Sequence, residues 1–251
     1  MKKIAAYILT PIHYLYFGLL LIIFHPIQWL ALKIGGYSAH KKSVDILNFF
    51  LVTTYYVLGD RIDFINNQPL PIDRPIIFIA NHQAMYDIPP LIWFLRKYHA
   101  KFISKIELTK GIPSISFNLK YGGGANIDRK DSKQSIAEIL KLAKRMKDNC
   151  WSTVIFPEGT RSRTGELKTF AVGGIATILK KVPEALIVPI AINGSWKFHR
   201  YSSSFPLGVF EKMTWTVLNP IEPSGKAIEE VIAEAEEAVR AALPAGQKTS
   251  I

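Results

Sequence analysis

Four short apolar runs leave this chain few ways to fold. Pro75-Ile-Ile-Phe-Ile-Ala80, Ala100-Lys-Phe-Ile-Ser104, Ser152-Thr-Val-Ile-Phe156 and Ala185–Ile192 are short and rich in β-branched or aromatic residues, which suits strands rather than helices. The first is apolar without alternation, as a strand covered on both faces must be. Between the runs the period changes. Asp131–Asn149 sets Ile136, Ile139, Leu140 and Ala143 at helical spacing behind Asp131 or Ser132 as cap. Further helices are predicted over Pro89–Tyr98, Lys105–Leu108, Pro113–Tyr121, Gly173–Val182 and Ser224–Leu243, and one more strand, alternating, over Lys212–Leu218. This order predicts an α/β fold with a mixed, largely parallel β-sheet flanked by helices. Such sheets bind ligands beyond the carboxyl ends of their strands.

The first sixty residues have a different character. Five lysines (Lys2, Lys3, Lys33, Lys41, Lys42) precede the first acid, Asp45, and Ile4–Ile34 is largely apolar and aromatic. The longest clean run, Tyr14–Phe24, reaches only about 16 Å as a helix, against a hydrocarbon core of about 30 Å. Gly35-Gly36 breaks the pattern, and Ser38 is placed to cap a second apolar helix that includes Val44–Leu58. Residues 1–59 are therefore expected to form a two-helix hairpin lying in one membrane leaflet, its lysines among anionic headgroups at roughly 1 kcal/mol each. A single transmembrane span is the competing arrangement. Residues 60–243 would form the main domain, with Asp60–Pro75 as a linker or edge region and 244–251 as a disordered tail.

The chain carries 31 basic and 20 acidic residues, a net charge of +11. It has no zinc-finger spacing, no RNP-like aromatic motif and no long basic run, which excludes the common nucleic-acid modules. Basic residues dispersed among apolar ones favour a membrane surface or an acidic substrate. The single cysteine, Cys150, precludes an intrachain disulfide.

Two of the strands run into chemically dense turns. After Phe156 come Pro157, Glu158, Gly159, Thr160, Arg161, Ser162 and Arg163. A Gly-containing turn can free backbone amides, and with guanidinium forks beside them it makes a cradle for phosphate. After Ala80 comes Asn81-His-Gln-Ala-Met-Tyr-Asp87. Residues five apart do not share a helix face, but His82 in the turn can meet Asp87 at the following helix start. Asp87 then fixes the tautomer and leaves the other ring nitrogen to accept a proton. No protein nucleophile stands beside this pair in the sequence, so a substrate hydroxyl is the simplest nucleophile.

Asn81-His82-x4-Asp87 together with Phe156-Pro-Glu-Gly-Thr-Arg-Ser162 resembles the lysophosphatidic acid acyltransferase family, the PlsC-like glycerophospholipid acyltransferases. Lys105-Ile-Glu-Leu108 with Pro113, Gly123-x3-Ile127-Asp-Arg129 and Val188-Pro-Ile-Ala-Ile192 match further family blocks in order, over about residues 60–220. The resemblance implies a 1-acylglycerol-3-phosphate O-acyltransferase with His82 as general base and Asp87 orienting it. It implies that Lys105, Arg129, Glu158, Gly159, Thr160 and Arg161 bind the acceptor phosphate and glycerol. It implies acyl-CoA or acyl-carrier protein as donor, phosphatidic acid as product, no metal, no cofactor, and a site on the cytoplasmic face of the cell membrane. Glycerol-3-phosphate, another lysophospholipid or a lyso-aminolipid are alternative acceptors, and a non-catalytic membrane-surface protein is the alternative class. Gln83, Asn126, Ser114 and Ser116 depart from the family pattern and are expected to shape the acyl or acceptor pocket.

Overall fold

The computed structural model describes residues 1–244; most of the tail expected from 244 lies outside them. Seven strands form one sheet in the order β1-β7-β6-β2-β5-β3-β4. They are β1 (Arg61–Ile65), β2 (Ile76–Ala80), β3 (Lys101–Lys105), β4 (Ala125–Ile127), β5 (Thr153–Ile155), β6 (Leu186–Asn193) and β7 (Lys212–Val217). Five, from β6 to β4, run parallel; β7 pairs antiparallel with β6, and β1 lies parallel to β7.

All five residues of β2 are fully buried, and they divide by parity. Ile76, Phe78 and Ala80 enter a core with Tyr55, Leu91, Leu95 and Trp215, under the N-terminal helix α1 (Lys2–Val57) and α2 (Ile88–Phe94). Ile77 and Ile79 enter a second core with Leu142, Met146, Ile178 and Val231, under α4 (Ser132–Asn149), α5 (Gly173–Lys181) and α6 (Ile228–Ala242). Each large aliphatic or Phe side chain among them contributes roughly 2 kcal/mol through burial. The lack of alternation in β2 thus reflects helices on both faces. Asp131 caps α4 by accepting from Gln134 N at 3.0 Å.

The hairpin is two helical arms of α1 that meet at a kink, as the Gly35-Gly36 break predicts. Its only non-helical residue is Gly36, at φ 64° and ψ −159°, a conformation that suits glycine. The two arms fold back on each other there. His13 Nδ1 lies 2.9 Å from Thr54 O, and Tyr16 Oη 3.0 Å from Thr53 Oγ1. Leu20, Leu21 and Phe24 pack on Leu47 and Leu51. In a straight helix, residues forty apart would stand about 60 Å from one another.

The linker or edge region Asp60–Pro75 supplies the edge strand β1, whose residues pair with Lys212–Thr216. Two expectations need correction. The last helix begins at Ile228 rather than Ser224, because Gly225 at φ 78° turns the chain before it. Lys41 does not face headgroups: it pairs with Asp45 at 2.5 Å and donates to Arg96 O at 2.8 Å, tying the hairpin to the domain.

Candidate active site

Asn81, the first residue beyond β2, clamps two strand ends together. Its side chain donates to Ile192 O at 2.8 Å and accepts from Ile192 N at 2.7 Å. His82 follows in an extended turn, and a single 3-10 turn, Met85–Asp87, brings Asp87 back beneath it. Asp87 Oδ2 accepts from His82 Nδ1 at 2.8 Å, Gln83 N at 2.7 Å and Ala84 N at 2.9 Å. Its Oδ1 accepts from the Ser195 hydroxyl. A wholly buried carboxylate with four donors is fixed in place. Because the carboxylate only accepts, His82 carries its proton on Nδ1 and presents a lone pair at Nε2. The ring stacks on Phe156 at 4.1 Å between centroids and 17° between planes. No described residue hydrogen-bonds Nε2, and that nitrogen is not enclosed.

The loop after β5 docks on the same turn. Glu158 Oε1 accepts from His82 N at 2.6 Å and Oε2 from Lys168 N at 3.1 Å; Ser162 N donates to His82 O at 2.7 Å. The amides of Gly159 and Ser162 are therefore not free for a phosphate: Gly159 N donates to Phe156 O at 3.1 Å and Ser162 N to His82. The tight docking that positions the loop uses them. What the loop presents to solvent is Thr160, Arg161, Arg163 and Lys168, with Lys168 Nζ donating to Thr160 Oγ1 at 2.8 Å. Each Glu158 oxygen keeps a second lone pair for a substrate hydroxyl.

Burial pushes the Glu158 carboxyl up to about 7, against the two amide bonds that hold it down. The folded state thus binds this proton more tightly than the unfolded chain, where the value is near 4.5. The resulting stabilisation is complete below pH 4.5 and gone by about pH 7. Replacing Glu158 with Gln removes this component. Thermal melts between pH 4.5 and 7.5 are expected to fall less steeply with pH in Glu158→Gln than in the parent.

Lys105 and Arg129 share the carboxyl edge but stand further off. Lys105 ends β3 and pairs in register with Ile127 of β4; Arg129 lies two residues beyond β4. They are two and three strands from β2, about 10 and 14 Å at the usual spacing. Both are exposed, and the described contacts do not join them to His82. Arg129 rims a cleft of about 360 Å³ with Ser132, Ser135, Ile136 and Gly173. A second cleft of about 260 Å³, lined by Phe17, Met85, Tyr86, His199 and Leu207, opens beside the 3-10 turn that carries Asp87.

The polar departures have internal partners. Ser114 Oγ donates to Leu21 O at 2.6 Å, Ser116 Oγ to Leu108 O at 2.9 Å, and Asn126 Nδ2 to Leu119 O at 2.6 Å. Gln83 is fully buried against Ser195 and Trp196. These residues brace the scaffold, Ser114 joining α3 (Ile115–Tyr121) to the hairpin. The sequence reading missed Phe156 as the platform for His82, and it missed Ser195 altogether.

A His82 ring held by a buried Asp87 at the carboxyl edge of a mostly parallel sheet, with its outer nitrogen open beside an arginine loop, is an arrangement able to accept a proton from a bound hydroxyl. The chain belongs to the acyltransferase family, whose model matches residues 61–193. It is 32% identical over 146 residues to the chloroplast 1-acyl-sn-glycerol-3-phosphate acyltransferase of Arabidopsis thaliana, covering 58% of this chain and 39% of that one. It is 34% identical over 146 residues to the 1-acyl-sn-glycerol-3-phosphate acyltransferase of Helicobacter pylori, covering 55% and 59%. It is 28% identical over 175 residues to the human beta form, covering 69% and 60%. The matched segments thus span between about two fifths and three fifths of these relatives' length. The crystal structure of the 1-acyl-sn-glycerophosphate acyltransferase PlsC from Thermotoga maritima superposes with a TM-score of 0.74 at 22% identity, over 96% of this chain and 97% of that one, and so shares its fold.

Proposed function

We propose that this protein transfers an acyl chain from acyl-CoA or acyl-carrier protein to the sn-2 hydroxyl of 1-acyl-glycerol-3-phosphate, giving phosphatidic acid. The observation that carries the reading is the free Nε2 of a His82 whose Nδ1–H is held by Asp87. The acceptor hydroxyl gives its proton to Nε2 as its oxygen attacks the thioester carbonyl. The tetrahedral adduct then expels the thiolate, which takes the proton back from His82. No acyl-enzyme is needed. Arg161 grips the phosphate, with Gly159 and Thr160 forming the loop under it and Glu158 meeting the glycerol. Lys105 and Arg129 complete a basic edge for an anionic group lying across the strand ends. The names of the relatives support this acceptor. The cleft beside Met85 and Tyr86 is apolar enough to take part of an acyl chain.

The same reading places the enzyme on, not across, a membrane. Residues Thr10, Leu21 and His25 of the first arm hold hydrogen bonds with Leu207 and Ser114 of the domain, which supports an arm kept on the domain's side of the bilayer. That side is the cytoplasmic face, where acyl thioesters are dissolved. Membrane lipids then supply both anchor and acceptor.

Purified protein with lysophosphatidate and acyl-CoA, and separately with acyl-carrier protein, is expected to release free thiol and form phosphatidic acid. Glycerol-3-phosphate, other lysophospholipids and a monoacylglycerol serve as competing acceptors; a faster reaction with any of them reassigns the acceptor. Arg161→Ala is expected to raise KM for lysophosphatidate about tenfold, the effect of losing one charge-assisted contact. KM for monoacylglycerol, which has no phosphate, should not change. Equal changes for both acceptors would remove Arg161 from the phosphate site.

A further inference from the structure

The buried hydroxyl of Ser195 completes the general-base assembly in a way that no motif records. The chain leaves β6 at Asn193 and turns at Gly194, where φ is 93° and an added Cβ would lie 2.4 Å from Lys212 O. Only glycine fits there. Ser195 opens the next 3-10 turn, Ser195–His199, and is fully buried. Its register relative to His82 is set upstream, because Asn81 grips both backbone groups of Ile192. Two strand ends are thereby locked together, one carrying His82 and the other delivering Ser195 to the far side of Asp87.

We propose that Ser195 is a positioning residue for the reaction assigned above, acting through Asp87 on the His82 ring; this inference rests on that reading. Its Oγ is within hydrogen-bond distance of both Asp87 Oδ1 and Gln83 Oε1, the latter at 3.2 Å. One hydroxyl proton serves one acceptor at a time, and the charged, closer carboxylate takes it. The Gln83 carbonyl also accepts from Trp196 N at 3.3 Å, which holds the 195–196 backbone under the dyad. Without the hydroxyl, Asp87 keeps donors on Oδ2 only. Its carboxylate then loses the one bond on its second oxygen that fixes its plane, and the Nδ1–H bond that aims Nε2 at the substrate loosens. Ser195 touches no reacting atom, so the effect should fall on turnover and not on substrate binding.

The test measures kcat and KM for lysophosphatidate and acyl-CoA in Ser195→Ala, Ser195→Thr, Asp87→Asn, Ser195→Ala/Asp87→Asn and His82→Ala. Ser195→Ala is expected to lose about tenfold in kcat, the scale of one buried bond to a charged group, with KM within about twofold of the parent. Ser195→Thr, which keeps the hydroxyl, should recover most of that loss. In the Asp87→Asn background, Ser195→Ala should cost nothing more, since its route to the ring is already cut. Parent-like kcat in a folded Ser195→Ala overturns the assignment, as does a loss that repeats in full in the Asp87→Asn background. A structural role alone would lower melting temperature and leave the per-molecule kcat intact. Parent-like turnover in His82→Ala would instead reject the site reading itself.

Discussion

His82→Ala is expected to lose about a thousandfold in kcat while remaining folded. General-base catalysis by a positioned imidazole contributes roughly 10² to 10⁴ in rate, or about 3–5 kcal/mol of barrier. The neighbouring carboxylates are placed for other work: Asp87 is wholly buried with all its bonds turned inward, and Glu158 is fixed by two amides with its remaining lone pairs assigned to the glycerol. The ring is not a core element either, since it retains 15% side-chain exposure and packs on a single aromatic face, Phe156. Its removal costs Asp87 one of four donors, a loss of roughly 1–3 kcal/mol in stability. The melting temperature should therefore drop by a few degrees without loss of the folded state. KM for lysophosphatidate should hold, because the proposed reading assigns the phosphate to Arg161 and not to His82. Free-thiol release by the folded variant within tenfold of the parent would show that another group takes the proton.

The legible and illegible parts of the molecule divide along a physical line. β2 was readable because both its faces are covered, so every residue had to be apolar. β1 was not: it is an edge strand paired only with β7, and its Arg61-Ile-Asp-Phe-Ile65 pattern of exposed and half-buried positions resembles the polar segment around it. β4 is three residues long and follows three glycines, too short to show any period. His82 and Asp87 were nameable from one turn of chain, since a strand end followed by a short helical turn makes their meeting a local event. Ser195 lies 108 positions from Asp87. Only the sheet order, with β6 beside β2, brings it near, and no spacing in the sequence encodes that adjacency. The same holds for the amides of Gly159 and Ser162. Their donors look free in the sequence and are taken in the fold by partners that the docking of the loop supplies.

The hairpin carries the second large prediction. Ile4, Ile8, Ile12, Leu15, Leu19, Ile22, Ile27, Leu30 and Ile34, with Ile23 beside them, lie on one helix face and are all between 41% and 83% exposed. They form one stripe along the first arm, while Ala6, Thr10, His13, Leu20 and Gln28 on the other side are buried. A soluble surface does not tolerate an apolar stripe that long without a partner, and a lipid surface is the partner proposed. Replacing Ile8, Ile12, Leu15 and Leu19 together by Ser removes roughly 6 kcal/mol or more of burial on the membrane, at about 1.5 kcal/mol or more per side chain. That is about ten-thousandfold in partitioning. The four residues face away from the domain, so the melting temperature should move little. The parent is expected to sediment with vesicles of mixed neutral and anionic lipid, and the quadruple variant to stay in solution. Turnover on lysophosphatidate embedded in vesicles should fall with binding, whereas turnover on a short-chain, monomeric lysophosphatidate should persist, because His82 and its loop are untouched. Vesicle binding equal to the parent's would mean that the stripe faces something other than lipid.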